Sequence, residues 1–162
     1  MTSPAIAQAK QLGLQHAIYR YAHDNTFHGN SAPSFALEAS QKLGIPTQQV
    51  FKTLVTQIDS QRWCIALTPA SSKLNMKLLA KAAGGKKASM VDPETAERIT
   101  GYVLGGVSPL GQKKLHPTII DNSALEFERI FVSAGRRGLE LALCPQDLGN
   151  AINATFANIA VN

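Results

Sequence analysis

Short strands and short helices interleaved along the whole chain predict a mixed α/β domain. Some connections are of hairpin length and others are helical, which favours a mixed sheet over a purely parallel one. Two further observations agree. The 162 residues suffice for about one domain with an ordinary core, and 44% hydrophobic with 17% charged residues is a globular composition. No repeat, low-complexity tract or linker divides the sequence, so residues 1–162 read as one domain.

Thr2-Ser3-Pro4 supplies an N-cap and a proline for the first helical position, and Ala5, Ile6, Ala9 and Leu12 recur at helical spacing up to Gly13. The β-formers of His16-Ala17-Ile18-Tyr19-Arg20-Tyr21 predict a strand. The turn-forming stretch from His23 to Ser34 predicts a loop, and long loops are often functional. Ser34 is then expected to cap a helix running through Phe35, Leu37 and Leu43 to Gly44, before a short turn at Pro46.

Residues 50–58 and 62–68 predict two strands joined as a hairpin by Asp59-Ser60-Gln61. A helical pattern runs from Leu74 to Ala83 and ends at Gly84-Gly85; a second begins at Asp92-Pro93-Glu94 and stops at Gly101. After a glycine-rich loop over 101–111, strands are expected at 118–121, 128–133 and 139–143, the last two around a Gly135-Arg136-Arg137-Gly138 turn. Pro145 starts a final helix, and the tail 155–161 reads as one last strand.

Sixteen Lys and Arg against eleven Asp and Glu give a net charge of +5 and a pI near 9.4, which permits an anionic partner. The excess is concentrated. Between Gln61 and Val91 there is no acid, while Arg62, Lys73, Lys77, Lys81, Lys86 and Lys87 supply six positive charges. Lys73, Lys77 and Lys81, four apart on one expected helix face, form either an anion-facing ridge or a solvated face. Lys113-Lys114 and Arg136-Arg137 add two basic pairs suited to phosphates. Cys64 and Cys144 lie in apolar runs and read as buried free thiols. No secretory leader pattern occurs and no apolar run approaches the ~18 residues of a membrane span. A cytoplasmic protein without membrane partners is expected.

The glycine loop has neither the Gly-x-x-x-x-Gly-Lys-Ser/Thr nor the Gly-x-Gly-x-x-Gly pattern, which disfavours a nucleotide-binding fold. Ser108 misses a nucleophile elbow by one position, and His16, His23, His28 and His116 lack metal-ligand spacing. Gly105-Gly106 can bring bare backbone N–H groups to a ligand, or can be a plain tight turn. Lys52 stands out in a largely apolar strand, where an ammonium either snorkels outward or faces a ligand. Tyr21 and Phe35 flank the polar loop and either pack in the core or stack on a base.

The runs Phe51-Lys52-Thr53-Leu54-Val55, Thr100 to Lys114 with its Gly105-Gly106-Val107-Ser108-Pro109-Leu110-Gly111 centre, and Val132-Ser133-Ala134-Gly135-Arg136-Arg137-Gly138-Leu139 resemble, in order and spacing, the YbaK family. Its members are Cys-tRNA(Pro) deacylases related to the editing domain of prolyl-tRNA synthetase. The resemblance implies a barrel-like mixed sheet surrounded by short helices, and hydrolysis of the ester joining a wrong amino acid to tRNA. Such editing is needed because apolar pockets discriminate small side chains by only about 10–200-fold.

By the same resemblance Lys52, Gly105 and Gly106 are the catalytic residues, and Tyr21, Phe35, Thr53, Ser108, Pro109 and Ser133 line the pocket. No metal and no cofactor is expected, the substrate's own thiol attacking its ester. Lys73, Lys77, Lys81, Lys113, Lys114, Arg136 and Arg137 would meet the acceptor end of tRNA(Pro), with prolyl-tRNA synthetase as a transient partner. Cys-tRNA(Cys) or Ala-tRNA(Pro) as substrate, and a non-catalytic tRNA- or synthetase-binding module, remain open alternatives.

Overall fold

The computed structural model describes residues 2–23 and 32–162. The elements in chain order are α1 (Pro4–Gln11), β1 (His16–Arg20), α2 (Ala32–Leu43), β2 (Phe51–Ile58), β3 (Arg62–Pro69), β4 (Lys73–Leu74), α3 (Met76–Ala82), β5 (Ala88–Met90), α4 (Pro93–Thr100) and β6 (Thr118–Asp121). A 3₁₀ turn (Asn122–Glu126), β7 (Ile130–Arg136), β8 (Leu139–Leu143), α5 (Pro145–Ala151), β9 (Thr155–Ala157) and β10 (Ala160–Val161) complete the chain. The predicted mixed α/β class holds, with antiparallel and parallel pairs in one sheet.

β2 and β3 form the hairpin read from the sequence. Asp59 and Ser60 both take positive φ, 53° and 55°, and Gln61 N–H closes on Ile58 C=O at 3.0 Å, a tight turn of right-handed twist inside the three-residue connection between the paired Ile58 and Arg62. β2 is buried on both faces. Phe51 and Val55 face the larger core with Ile65, Leu67, Ile130 and Leu141, whereas Leu54 and Ile58 face a second core with Leu79 and Ile119. That double burial is why the strand reads as an almost continuous apolar run.

The two edges of β2 differ. One pairs with β3 along its full length, from Phe51 opposite Pro69 to Ile58 opposite Arg62. The other is shared: β5 takes Thr56 to Ile58, and Val50, just before the strand, makes a single parallel bridge to Phe131 of β7. Val91 N–H donates to Val55 C=O at 3.3 Å, so the odd-numbered peptide groups of β2 point to this shared edge. Thr53 falls in the gap between the two partners. The gap also corrects the expectation of a barrel: β1-β8-β7, β10-β4 and β5-β2-β3-β6-β9 are separate sheets, and a single bridge leaves the first and third unclosed among the described residues.

Three boundaries also differ from the sequence reading. Most of the expected loop from His23 to Ser34, with His28, lies outside the described residues, but α2 starts at Ala32, so Ser34 is helical rather than a cap. Pro33 is acceptable there because first-turn positions have no intrahelical N–H bond to lose. Lys73 and Leu74 form β4 against β10, and Asn75 caps α3 by accepting Leu78 N–H at 2.9 Å. The tail is two strands because the buried Asp121 carboxylate accepts the N–H groups of Ile159 at 2.9 Å and Ala160 at 3.0 Å, bending the chain between them. Cys64 is buried and free, as expected, whereas Cys144 is only half-buried.

Candidate active site

The gap in the β2 edge opens into a cavity of about 40 Å³ lined by Tyr21, Phe35, Lys52, Thr53, Gly105, Ser133 and Glu140 among others. A water needs roughly 10–15 Å³ of such space, so only a few atoms fit. Six of the nine residues expected at the catalytic centre or in its pocket therefore meet here.

Lys52 is 6% exposed, so its ammonium does not snorkel. Nζ donates to the carbonyl of Ser72 at 2.5 Å, and burial holds its pKa below the usual lysine value. The Thr53 hydroxyl is buried without a hydrogen-bond partner among the described residues. An unpartnered buried hydroxyl costs about 1–3 kcal/mol unless a ligand supplies the bond.

The glycine loop forms one wall. Gly101 caps α4 in the left-handed region, and the loop's far end is fastened by Tyr102 Oη on Leu110 C=O at 2.7 Å and Gly111 N–H on Gln8 Oε1 at 2.6 Å. Gly105 takes φ +87°, where a Cβ would stand 2.7 Å from both Arg137 Nε and Phe35 Cδ2. Gly106 N–H donates to Val103 C=O at 2.9 Å, which commits that amide to the turn. Gly105 N–H has no acceptor among the described residues. The loop thus offers one free donor from this pair rather than two.

Ser108 and Pro109 are not among the residues that line this cavity. Both are buried away from the cavity, and Ser108 Oγ accepts Leu110 N–H at 3.3 Å as a local turn brace. The apolar Val107-Ser108-Pro109-Leu110 run is drawn inward by the core, which takes Val107 and Leu110.

Glu140 is the residue the sequence reading missed. It sits opposite Ser133 in the β7–β8 ladder, 6% exposed, and burial pushes its carboxyl up to about 8. Burial first, then the neighbouring Glu140, also raises the Tyr21 phenol above its ordinary value. The signal was available: Glu140 is the lone charge in Leu139-Glu140-Leu141-Ala142-Leu143, as Lys52 is in its strand. On α2, the carboxylate of the fully buried Glu38, one turn on from Phe35, meets His23 Nδ1 at 2.7 Å and Lys42 Nζ at 3.0 Å, and the His23 ring lies 6.3 Å from that of Phe35.

The basic residues divide. Arg137 is at the cavity rim, with its guanidinium over Phe35 and Nη2 on Leu104 C=O at 3.1 Å. Arg136 is half-buried at the end of β7, and Lys73, Lys77, Lys81, Lys113 and Lys114 are exposed. The expected three-lysine helix face is corrected to two, because Lys73 belongs to β4 and Asn75 starts the helix after it. No described helix is long and apolar enough to cross a membrane.

A small cavity at a split strand edge, walled by a glycine loop and lined by buried ionisable groups, has the form of a small-ligand site. The chain belongs to the aminoacyl-tRNA editing domain family, whose model matches residues 33–150, and its class of enzyme is an aminoacyl-tRNA hydrolase. It is 40% identical over 124 residues, 76% of either chain, to a candidate Cys-tRNA(Pro)/Cys-tRNA(Cys) deacylase, EbsC, of Enterococcus faecalis. Its fold matches the crystal structure of a candidate trans-editing enzyme for prolyl-tRNA synthetase with a TM-score of 0.80, 21% identity and all of both chains covered. A hypothetical protein matches with a TM-score of 0.85 and 21% identity over 98% of this chain and all of the other.

Proposed function

We propose that this protein acts in trans on mischarged Cys-tRNA(Pro), releasing cysteine before it reaches the ribosome. The observation that carries this reading is the 40 Å³ cavity, which has room for a small side chain beside Lys52, Thr53, Gly105 and Glu140. The name of the relative EbsC supports it and extends the tRNA partner to tRNA(Cys).

In the mechanism, the thiol of the bound cysteinyl group attacks its own ester carbonyl, giving up its proton as the C–S bond forms. A C–S bond forms, the C–O bond to the terminal ribose breaks, and the departing ribose oxygen takes the thiol's proton. Water then opens the resulting four-membered thiolactone to free cysteine. The protein positions the chain and stabilises developing charge: Gly105 N–H donates to the oxyanion, an interaction worth about 2.7–4 kcal/mol in typical acyl-transfer sites. Lys52 holds the ester end of the substrate. Glu140, whose burial favours the neutral carboxyl, accepts a hydrogen bond from the substrate's α-amino group through its carbonyl oxygen, and Thr53 Oγ1 gains a hydrogen-bond partner.

Arg136, Arg137 and the exposed lysines meet acceptor-arm phosphates, and a transient complex with prolyl-tRNA synthetase delivers the substrate. The setting is the cytoplasm, where that substrate arises. The test is release of labelled cysteine from Cys-tRNA(Pro), comparing the native protein with Lys52→Ala and running Ala-tRNA(Pro) and Pro-tRNA(Pro) alongside. Lys52-dependent loss of cysteine alone is expected. Loss of alanine as readily as cysteine would eliminate the thiol-assisted route, and tRNA binding with no release would make the protein a binding module.

A further inference from the structure

The acyl cavity has two aromatic walls from different segments, Tyr21 just past the end of β1 and Phe35 on α2. No backbone hydrogen bond joins residues 21–23 to α2 among the described residues, so the separation of the two rings depends on side chains. The carboxylate of Glu38, fully buried one turn after Phe35, accepts from His23 Nδ1 at 2.7 Å through one oxygen and meets Lys42 Nζ at 3.0 Å through the other. Lys42 Nζ donates in turn to the Ala22 carbonyl and stands 6.0 Å from the centroid of the Tyr21 ring. Ala22 and His23 are the two residues that follow Tyr21, so Glu38 and its partners hold this segment against the helix that carries Phe35.

We propose that Glu38 is a positioning residue: through His23 and Lys42 it sets the distance between Tyr21 and Phe35, and with it the largest aminoacyl side chain that the cavity accepts, an inference that rests on the deacylase reading above. A buried carboxylate is a poor source of stability, because its desolvation offsets most of what its partners return, and an apolar side chain would pack there as well. What the carboxylate adds is direction. Two oxygens, each with its own donor, fix side chains from two places in the sequence, whereas an apolar contact lets them slide.

Each wall is also held from its far side. Arg137 lies over Phe35, and Tyr21 N–H donates to Gly138 C=O at 3.0 Å. Glu38 supplies the link between the walls. In a cavity of about 40 Å³ that link matters, since one water-sized increment of roughly 10–15 Å³ enlarges the space by about a quarter or more. One methylene in an apolar pocket changes discrimination by about 10–200-fold, so a small displacement of either ring is enough to alter which side chains are accepted.

The test is Glu38→Gln, which keeps the shape but turns one acceptor into a donor, with Lys42→Met as a second variant at an exposed position and Lys42→Arg as its conservative rescue. The substrates are Cys-tRNA(Pro) and homocysteinyl-tRNA(Pro), whose thiol lies one methylene further out. Glu38→Gln and Lys42→Met should melt cooperatively, lower kcat for cysteine release about tenfold with KM nearly unchanged, and reduce the preference for cysteine over homocysteine about tenfold; Lys42→Arg should restore both. In protein carrying 3-fluorotyrosine at its three tyrosines, the Tyr21 resonance, assigned by Tyr21→Phe, should shift in both variants while those of Tyr19 and Tyr102 stay. Native preference with an unmoved Tyr21 resonance in folded Glu38→Gln overturns the positioning role, and so does an equal loss of rate for both substrates, which would make Glu38 a structural residue only. If Glu38→Gln does not fold, the same readings on Lys42→Met decide. A native protein that releases no cysteine overturns the deacylase reading instead, and the Tyr21 resonance still decides the link between the walls.

Discussion

The guanidinium of Arg137 lies 4.1 Å from the ring centroid of Phe35, while its Nη2 donates to Leu104 C=O at 3.1 Å. One side chain thereby joins three segments distant in sequence: the turn after β7, helix α2 and the glycine loop. The cation–π contact contributes about 0.5–1 kcal/mol at such a partly exposed site. Its larger consequence is geometric, because it fixes the loop against the ring that roofs the acyl cavity.

Gly105→Ala is therefore expected to remove activity with a modest loss of stability. The new Cβ meets Arg137 Nε and Phe35 Cδ2, both at 2.7 Å, at a φ of +87° that costs a non-glycine residue about 1–3 kcal/mol. Relief must come from the Arg137–Phe35 stack or from the loop, and each moves the amide at position 105. Deacylation should fall at least tenfold while the protein still melts cooperatively. An Ala variant with native turnover would remove Gly105 from the oxyanion role.

Lys52→Met separates stability from function. The lysine's charge is desolvated and its described partner is the neutral Ser72 carbonyl, so a methionine of similar shape avoids the burial cost. Thermal stability should hold or rise, most clearly at low pH, since a depressed lysine pKa weakens the native fold as pH falls through it. Turnover should be lost. A marked drop in Tm would mean that the ammonium is a structural strut.

Glu140 makes an opposite pH prediction. Its carboxyl titrates near 8 in the fold against the ordinary 4.5, so the unfolded chain loses this proton first and the contribution to stability is full below about 4.5. That contribution is lost as pH rises toward and through 8, by on the order of a few kcal/mol. Glu140→Gln, which stays neutral, should flatten the decline of Tm between pH 5 and 9. Parallel Tm curves for the two proteins would show that the carboxyl is ionised and satisfied in the fold.

What could be read from sequence followed local physics. The Ser3 cap with Pro4, the Asp59-Ser60 turn and the Asp92 cap with Pro93 are signalled by adjacent residues, and all three form. Lys52 drew notice because a charge in an apolar strand needs a reason, and the same reasoning applied to Glu140 would have completed the cavity floor. What escaped depends on distant partners. Lys73 joins a strand because Val161 pairs with it, Ser108 is drawn inward by the core, and the gap at Thr53 exists because two strands far apart in sequence share one edge.

The basic surface yields the last prediction. Lys77 and Lys81 are one turn apart on the exposed face of α3, with no acid between Gln61 and Val91 to neutralise them. Like charges four residues apart weaken a helix by a few tenths of a kcal/mol, a cost removed when a phosphate bridges them. Each phosphate contact on duplex RNA should contribute roughly 0.9 to the slope of log(kcat/KM) against log salt, by analogy with duplex DNA. Replacing both lysines with glutamine should thus reduce the slope by about 1 to 2 and lower activity alike for Cys-tRNA(Pro) and Cys-tRNA(Cys), because phosphate contacts carry no sequence information. An unchanged slope would reassign the pair to a solvated face and leave Arg136 and Arg137 as the anchor for the acceptor arm.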